Sequence, residues 1–436
     1  MPEYVRYDEG TFSSLTKQQK EAIGLLAIGT FLEYFDLMLY VHMAVLLNEL
    51  FFPKAAPHTQ AIYSACAFCS TFVFRPLGAF IFGWIGDNIG RKVTVVITTL
   101  MMGISCFVMA IIPSYDQIGF TATVIVTLCR IIQGISSMGE VVGAKIYLTE
   151  FTKPPVRYPI VSSMTVSSNL GTTCALGFVS LVLAFSINWR YIFLVGTIIA
   201  IVSTVARTRL RETPEFDDAK RYVKKVYNII SIDNNTLTDN YIYNEKLNKC
   251  TCVAYFLMEC LPPIWFYLTF IYCGNVLKTS FNFTAIQIIH QNFIVSIIDL
   301  LAVVLWTYLS YNIYPLKILK MQIIIFGVFI CLFPLIISSI STAFQLLIIQ
   351  GFMVTFAFGT LPASAIFFKK FSIFKRFTCA SLTFAISRAV MYLITSFGFI
   401  YCTKFFNHTG LLIIIIPAVL GYLWGFYHFH TSEERS

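Results

Sequence analysis

The chain has 436 residues, of which 57% are hydrophobic and 12% charged, against roughly 25% charged in soluble domains. With a mean hydropathy of +0.75, a water-soluble globular core is excluded and an all-α polytopic membrane protein is expected. The formal net charge of +9 lies in the loops between apolar runs, so it bears on orientation in a bilayer and not on nucleic-acid binding.

A membrane-spanning helix needs about 20 apolar residues. On that rule helices are expected over 21–47, 60–83, 92–112, 119–149, 160–185 and 189–208, then over 252–277, 285–310, 318–338, 343–367, 377–402 and 410–430. That makes twelve transmembrane helices as two six-helix pseudo-repeats. The domain reading is a cytoplasmic N-tail 1–20, a first bundle 21–208, a cytoplasmic central loop 209–249, a second bundle 250–430 and a C-tail 431–436. The first twenty residues are mixed polar and lack a basic n-region ahead of a short apolar run, so no cleaved signal peptide is expected. With both termini cytoplasmic, 23 of the 31 Lys and Arg fall on the inside and four (Lys54, Arg190, Lys278, Lys404) outside. That asymmetry is what the positive-inside rule demands.

Twelve cysteines lie scattered, mostly in apolar runs. Cys66 and Cys69 make a CxxC, but inside an expected helix and without nearby histidines, so no metal, redox role or cofactor is expected. Cys250 and Cys252 read the same way.

Charge inside the membrane is expensive and usually functional. The first helix carries Glu33 and Asp36, three apart and so on one face. The second carries Arg75, directly before Pro76, and the fourth carries Arg130, Glu140 and Lys145. The second half offers Glu259, Asp299 and Arg388. Glu33, Asp36 and Glu140 read as proton carriers, because a buried carboxylate that changes partner takes up a proton on one side and releases it on the other. Arg75 and Arg130 read as alternating partners or as clamps for a substrate carboxylate. A static salt-bridge lattice is the competing reading. Lys145 either snorkels to the cytoplasmic headgroups or pairs with a first-helix acid. His42 and His290 either titrate or make helix–helix hydrogen bonds. Pro262–Pro263 should break the seventh helix, and Trp265, Phe266 and Tyr267 beside the break suit a quaternary ammonium through cation–π attraction. Asn169 adds a polar group among small residues on the fifth helix.

Residues 83–92 read GWIGDNIGRK between two apolar runs. Gly83 and Gly90 favour a turn, Asp87 can pair with a base or cap a helix, and Arg91 and Lys92 hold the loop inside. A loop tethered to headgroups is the simpler alternative. The stretch resembles the cytoplasmic loop signature of the major facilitator superfamily, with Asn88 standing where a base is usual. Six helices, a basic loop and six more helices is that family's layout. A shift of 224 residues sets Tyr311 opposite Asp87 and Tyr314 opposite Gly90, so the second copy of the signature is degraded.

A narrower resemblance is to the metabolite–proton symporters, whose members carry proline and betaine, α-ketoglutarate, citrate or shikimate. It rests on GTFLEYFDLMLY at 29–40, FRPLGAFIFGWIGDNIGRK at 74–92, PSYDQIG at 113–119, CRIIQGISSMGE at 129–140, NWRYIF at 188–193 and RETPEF at 211–216. In the second half only GTLPA at 359–363 resembles the proline/betaine members. Those relatives usually have a small residue where Lys145 stands. The resemblance implies a proton-coupled symporter of a small zwitterionic or carboxylated solute, proline or betaine first, that rocks two halves about a central site. It also implies a monomer in a plasma (bacterial inner) membrane whose partners are solute, proton and lipid. An organic-acid symporter stays open, as do uniport, another coupling ion and a non-transporting sensor or degenerate paralogue. An enzyme is not expected: HExxH, G-x-S-x-G and phosphate-binding loops are absent from the sequence.

Overall fold

The computed structural model describes residues 15–52, 71–185, 188, 190–208 and 248–435, less the side chains of a few, among them 40–46 and 138–140. The CxxC at Cys66 and Cys69, most of the central loop, and the side chains of His42 and Glu140 therefore lie outside the described residues. Those described form helices and no strand.

Nine helices among them are long and apolar enough to cross a membrane. In the first half, helices fall at all six expected positions: Lys17–Phe51, Arg75–Asn88, Arg91–Ile111, Phe120–Phe151, Arg157–Phe185 and Arg190–Arg207. In the second half, Ala285–Asn312, Pro315–Ser338 and Leu412–Glu434 match the eighth, ninth and twelfth positions. The seventh, tenth and eleventh depart from straight rods, and two of them shape the site below.

Local chemistry sets several of the starts. Thr284–Gln287 and Thr342–Gln345 are reciprocal capping boxes at the eighth and tenth spans, in which the threonine hydroxyl and the glutamine side chain each satisfy an otherwise orphaned backbone N–H. Thr16 and Gln19 do the same at the first, at 3.0 and 3.2 Å.

Small residues let helices touch backbone to backbone. A Cβ at Gly78 would lie 2.2 Å from Ile135 O, and one at Gly134 would lie 2.2 Å from Thr71 O. The second and fourth spans are thus locked face to face by reciprocal glycines. Gly134→Ala must push them apart, and overpacking of this kind costs about 1–3 kcal/mol. A lowered thermal midpoint in detergent is the expected result, and an unchanged midpoint would remove the lock from the account.

The two halves meet along two seams. The fifth span runs against the eighth, where Thr173 donates to Ser296 O at 3.1 Å and Ser180 bonds His290 at 2.9 Å. So His290 serves a helix–helix contact. The second span runs against the eleventh at the end that carries the loop motif. Large apolar side chains such as Phe80, Ile198 and Leu335 are exposed on the outer faces, as a lipid-facing surface requires.

Candidate functional site

The site begins with two prolines. Pro262 and Pro263 have no N–H, so the carbonyls of Met258 and Glu259 lose their helical donors. The seventh span accordingly stops at Glu259, turns at Cys260 and restarts as Leu261–Phe266, followed by a π-helical stretch Tyr267–Tyr272 and then Cys273–Phe281. Arg388 of the eleventh span fills the gap: its Nη1 donates to Glu259 O at 3.2 Å and its Nη2 to Glu259 Oε2 at 3.0 Å. Thr360 Oγ1 donates to Glu259 Oε1 at 2.9 Å. One arginine therefore satisfies both the carbonyl freed by the break and the carboxylate beside it.

Thr360 belongs to a second break. The sequence reading runs the tenth helix through 343–367, but the structure stops it at Phe356 and resumes at Ser364–Lys369. Side chains of neighbouring spans take up carbonyls of this unwound segment and the turn before it. Trp306 Nε1 donates to Thr355 O at 2.7 Å, Trp265 Nε1 to Phe358 O at 3.1 Å, and Tyr422 OH to Gly359 O at 2.6 Å. The GTLPA stretch is thus irregular backbone buried in protein, the one setting in which a membrane tolerates it.

The two broken helices face a cavity of about 290 Å³. Tyr34, Lys145 and Asn169 line it from the first half, and Glu259, Asp299 and Arg388 line it from the second. Trp265 and Trp306 also reach it. Lys145 is half-buried and lines this cavity, so it does not snorkel to the headgroups. Among the described residues its ammonium makes no salt bridge, and Glu259 lines the same cavity. Asp299 Oδ2 accepts from Asn169 Nδ2 at 2.9 Å across the seam between halves.

Glu33, Asp36, Arg75 and Arg130 are buried in the first half and are not among the residues that line the cavity. Glu33 and Arg75 are buried 3.9 Å apart. Asp36 accepts from Cys106 Sγ at 3.3 Å and lies within electrostatic reach of Arg130, whose Nη1 donates to Gln133 Oε1 at 2.7 Å. Of the sequence-derived substrate residues, Asn169 and Trp265 line the cavity, whereas Arg75 and Arg130 are not among its lining residues. One helical turn beyond Arg388, Tyr392 packs on Phe72 and Phe266, at ring-centroid distances of 4.1 and 6.3 Å. An aromatic layer so joins the second, seventh and eleventh spans.

At one end of the bundle the loop motif is a clasp. Asp87 accepts from Phe377 N at 3.2 Å, Thr378 N at 2.8 Å and Thr378 Oγ1 at 2.6 Å. It thereby caps, from the second span, the helix that begins at Arg376, to which the N-cap residue Lys375 gives no side-chain cap. The negative charge also sits at that helix's positive end. Arg91 holds Asp87 at 2.7 Å and Glu150 at 3.3 Å, donates to Ile373 O at 3.0 Å, and also bonds Gly86 O. Arg376 reaches Glu150 at 2.9 Å. Gly83 lies inside the helix Arg75–Asn88 and makes no turn, contrary to the sequence reading; it serves close approach instead, since a Cβ there would stand 2.8 Å from Thr378 Cα. Gly90 precedes the third span, half-buried Lys92 follows Arg91, and Asn88 bonds Trp84 O at 2.8 Å instead of supplying a base. At the degraded second copy, Tyr314 packs edge-on against Tyr158 and donates to Glu433 at 3.0 Å. The two halves are therefore clasped asymmetrically.

An all-α polytopic fold with a charged cavity between two broken helices, clasped at one end, defines the class of protein. Residues 26–372, well over half of the chain, match the Major Facilitator Superfamily; the chain belongs to that family. It is 33% identical over 204 residues to the proline/betaine transporter of Escherichia coli strain K12, covering 45% of this chain and 41% of the relative. It is 32% identical over 225 residues to the shikimate transporter of the same strain, covering 50% and 51%. The matched part thus spans about half the length of these curated relatives or less. Among solved structures, the proton:xylose symporter XylE bound to 6-bromo-6-deoxy-D-glucose superposes with a TM-score of 0.74 at 16% identity, over 93% of this chain and 94% of that one. The human organic anion transporter MFSD10 superposes with a TM-score of 0.66 at 15% identity, over 95% and 100%. Both likenesses concern the fold alone.

Proposed function

We propose that the protein is a secondary transporter that moves a small zwitterionic or carboxylated solute together with a proton by alternating access, with proline or betaine the first candidates. The observation that carries the reading is the cavity, which presents both signs of charge from both halves behind a closed clasp. Lys145 offers a cation to a solute carboxylate, Asp299 an anion to an ammonium, and Trp265 an aromatic surface. The Glu259–Arg388 pair holds the two broken helices in register. In this reading Glu33 and Asp36, with Glu140, relay the proton within the first half, and Arg75 and Arg130 are their alternating partners. The curated relatives named for proline and betaine support the choice of solute.

Uptake of labelled proline, glycine betaine and shikimate into proteoliposomes under an inward proton gradient tests this. Accumulation that collapses with a protonophore is the expected result. No flux of any solute from folded protein would overturn it. A hydrogen bond to a charged group contributes about 1.5–3 kcal/mol, so Lys145→Met should raise KM for a carboxylated solute by about 10- to 100-fold with kcat little changed. Choline inhibition, which needs no carboxylate contact, should be unaffected. An unchanged KM for glycine betaine would remove Lys145 from the site.

A further inference from the structure

Among the described intramembrane carboxylates of the first half, Glu33 lies beside Arg75 and Asp36 within reach of Arg130. In the second half Glu259 is held by Arg388. Asp299 differs. Among the described residues it forms no salt bridge, and its one hydrogen bond is the 2.9 Å contact from the neutral amide of Asn169. It nevertheless lines the cavity in the middle of a long apolar helix, Ala285–Asn312.

The elements packed on that helix supply no counter-ion. On the fifth span, positions 159–185 contain no Asp, Glu, Lys, Arg or His, and Cys174 is their single titratable group. The tenth-span helix Ala343–Phe356 carries no titratable group. Lys278, Lys317 and Lys320 of the seventh and ninth spans are exposed, and Cys273 and Cys331 complete the titratable groups on those neighbouring helices. His290, Tyr308 and Tyr311 lie elsewhere on the same helix, and His290 is engaged with Ser180. Across the cavity stand Lys145, Glu259, Arg388 and the phenols of Tyr34 and Tyr255.

We infer that Asp299 is a proton-binding carboxylate of the second half, loaded and unloaded as its bond to Asn169 breaks and forms. The inference rests on the symport reading above and extends it beyond the first-half acids. Burying an anion without a cation is costly, and a proton on the carboxylate removes that cost. Asn169 and Asp299 belong to opposite halves, so rocking the halves must change their separation. With the amide donor in place the charged form is supported; with it withdrawn the carboxylate takes a proton from the side to which the cavity is open. On the loading side an O–H bond of hydronium breaks as the carboxyl O–H forms, and on the unloading side the carboxyl O–H breaks as water takes the proton, with no change of oxidation state.

Two readouts on the full-length protein test this. Trp265 and Trp306 line the same cavity, so tryptophan fluorescence of purified protein should show a pH-dependent step that Asp299→Asn abolishes and Asp299→Glu restores. In proteoliposomes one proton per solute sets about a tenfold solute gradient per pH unit. The wild type should reach it, whereas Asp299→Asn should only equalise labelled proline or betaine by exchange with internal solute, and Asp299→Glu should accumulate it again. A fluorescence step that persists in Asp299→Asn, or accumulation by that variant equal to wild type, overturns the assignment. So does joint loss of exchange and accumulation in both variants, which marks a merely structural residue. If the wild type carries none of the solutes yet loses its fluorescence step in Asp299→Asn, the symport reading falls and the proton site stands.

Discussion

Asp87→Ala is expected to open the end held by the clasp. The carboxylate makes three contacts to the start of the eleventh span and one to Arg91, and it is buried. Removing one partner of a buried charged pair costs about 3–5 kcal/mol, because the remaining charge and donors are left uncompensated. The three contacts to Phe377 and Thr378 join the two halves and exist only while they are closed together, so their loss falls on that one conformation, whereas the bond to Arg91 lies within the first half. At about 1.4 kcal/mol per decade, the equilibrium should move by two to three orders of magnitude toward the state open at that end. Spin labels placed at Lys153 and Lys369 would read this as a longer and broader distance distribution. Asp87→Asn should fall between, because the amide oxygen still accepts from the helix N-terminus while the charge is gone. An unchanged distribution in Asp87→Ala would show that the clasp does not set the conformational balance.

The second large effect concerns Glu259 and Arg388. Arg388→Met strands both a carboxylate and the carbonyl freed by Pro263, so a loss of about 3–5 kcal/mol is expected from this change alone. Glu259→Gln strands the guanidinium to a similar degree. The Glu259→Gln/Arg388→Met double variant should be more stable than the sum of the two losses, because neighbours in one network are not additive. Transport should stay lost in all three, since the pair also fixes Thr360 and the unwound tenth span beside the cavity. Thermal midpoints in detergent together with solute exchange in proteoliposomes decide the matter. Simple additivity of the midpoints would mean that the two side chains act separately.

The loop motif is the part of the site that could be read from the chain in most detail. Gly83, Asp87, Gly90, Arg91 and Lys92 pointed to a turn with an acid that pairs or caps, and Asp87 does both. The sequence held no sign of its partner, because Thr378 lies 291 positions away. The prolines of the seventh span also announced their break correctly. The break in the tenth span was missed, although Gly359 and Pro362 inside an apolar run were a usable signal.

Run lengths, the placement of basic residues and the rarity of charge were sufficient for an all-α polytopic membrane protein, because a bilayer demands about 20 apolar residues per crossing whatever the neighbours are. They also located the charged residues along each helix. Which way those residues face was decided only in the tertiary structure. Glu33, Asp36, Arg75 and Arg130 are buried away from the lining, while Lys145, Asp299 and Arg388 line the cavity. The reason is physical: lipid tails are as apolar as a protein core, so hydrophobicity cannot set the rotation of a helix about its axis. Close contacts such as Gly134 against Thr71, and polar partners on distant spans such as Asn169 and Asp299, set it instead.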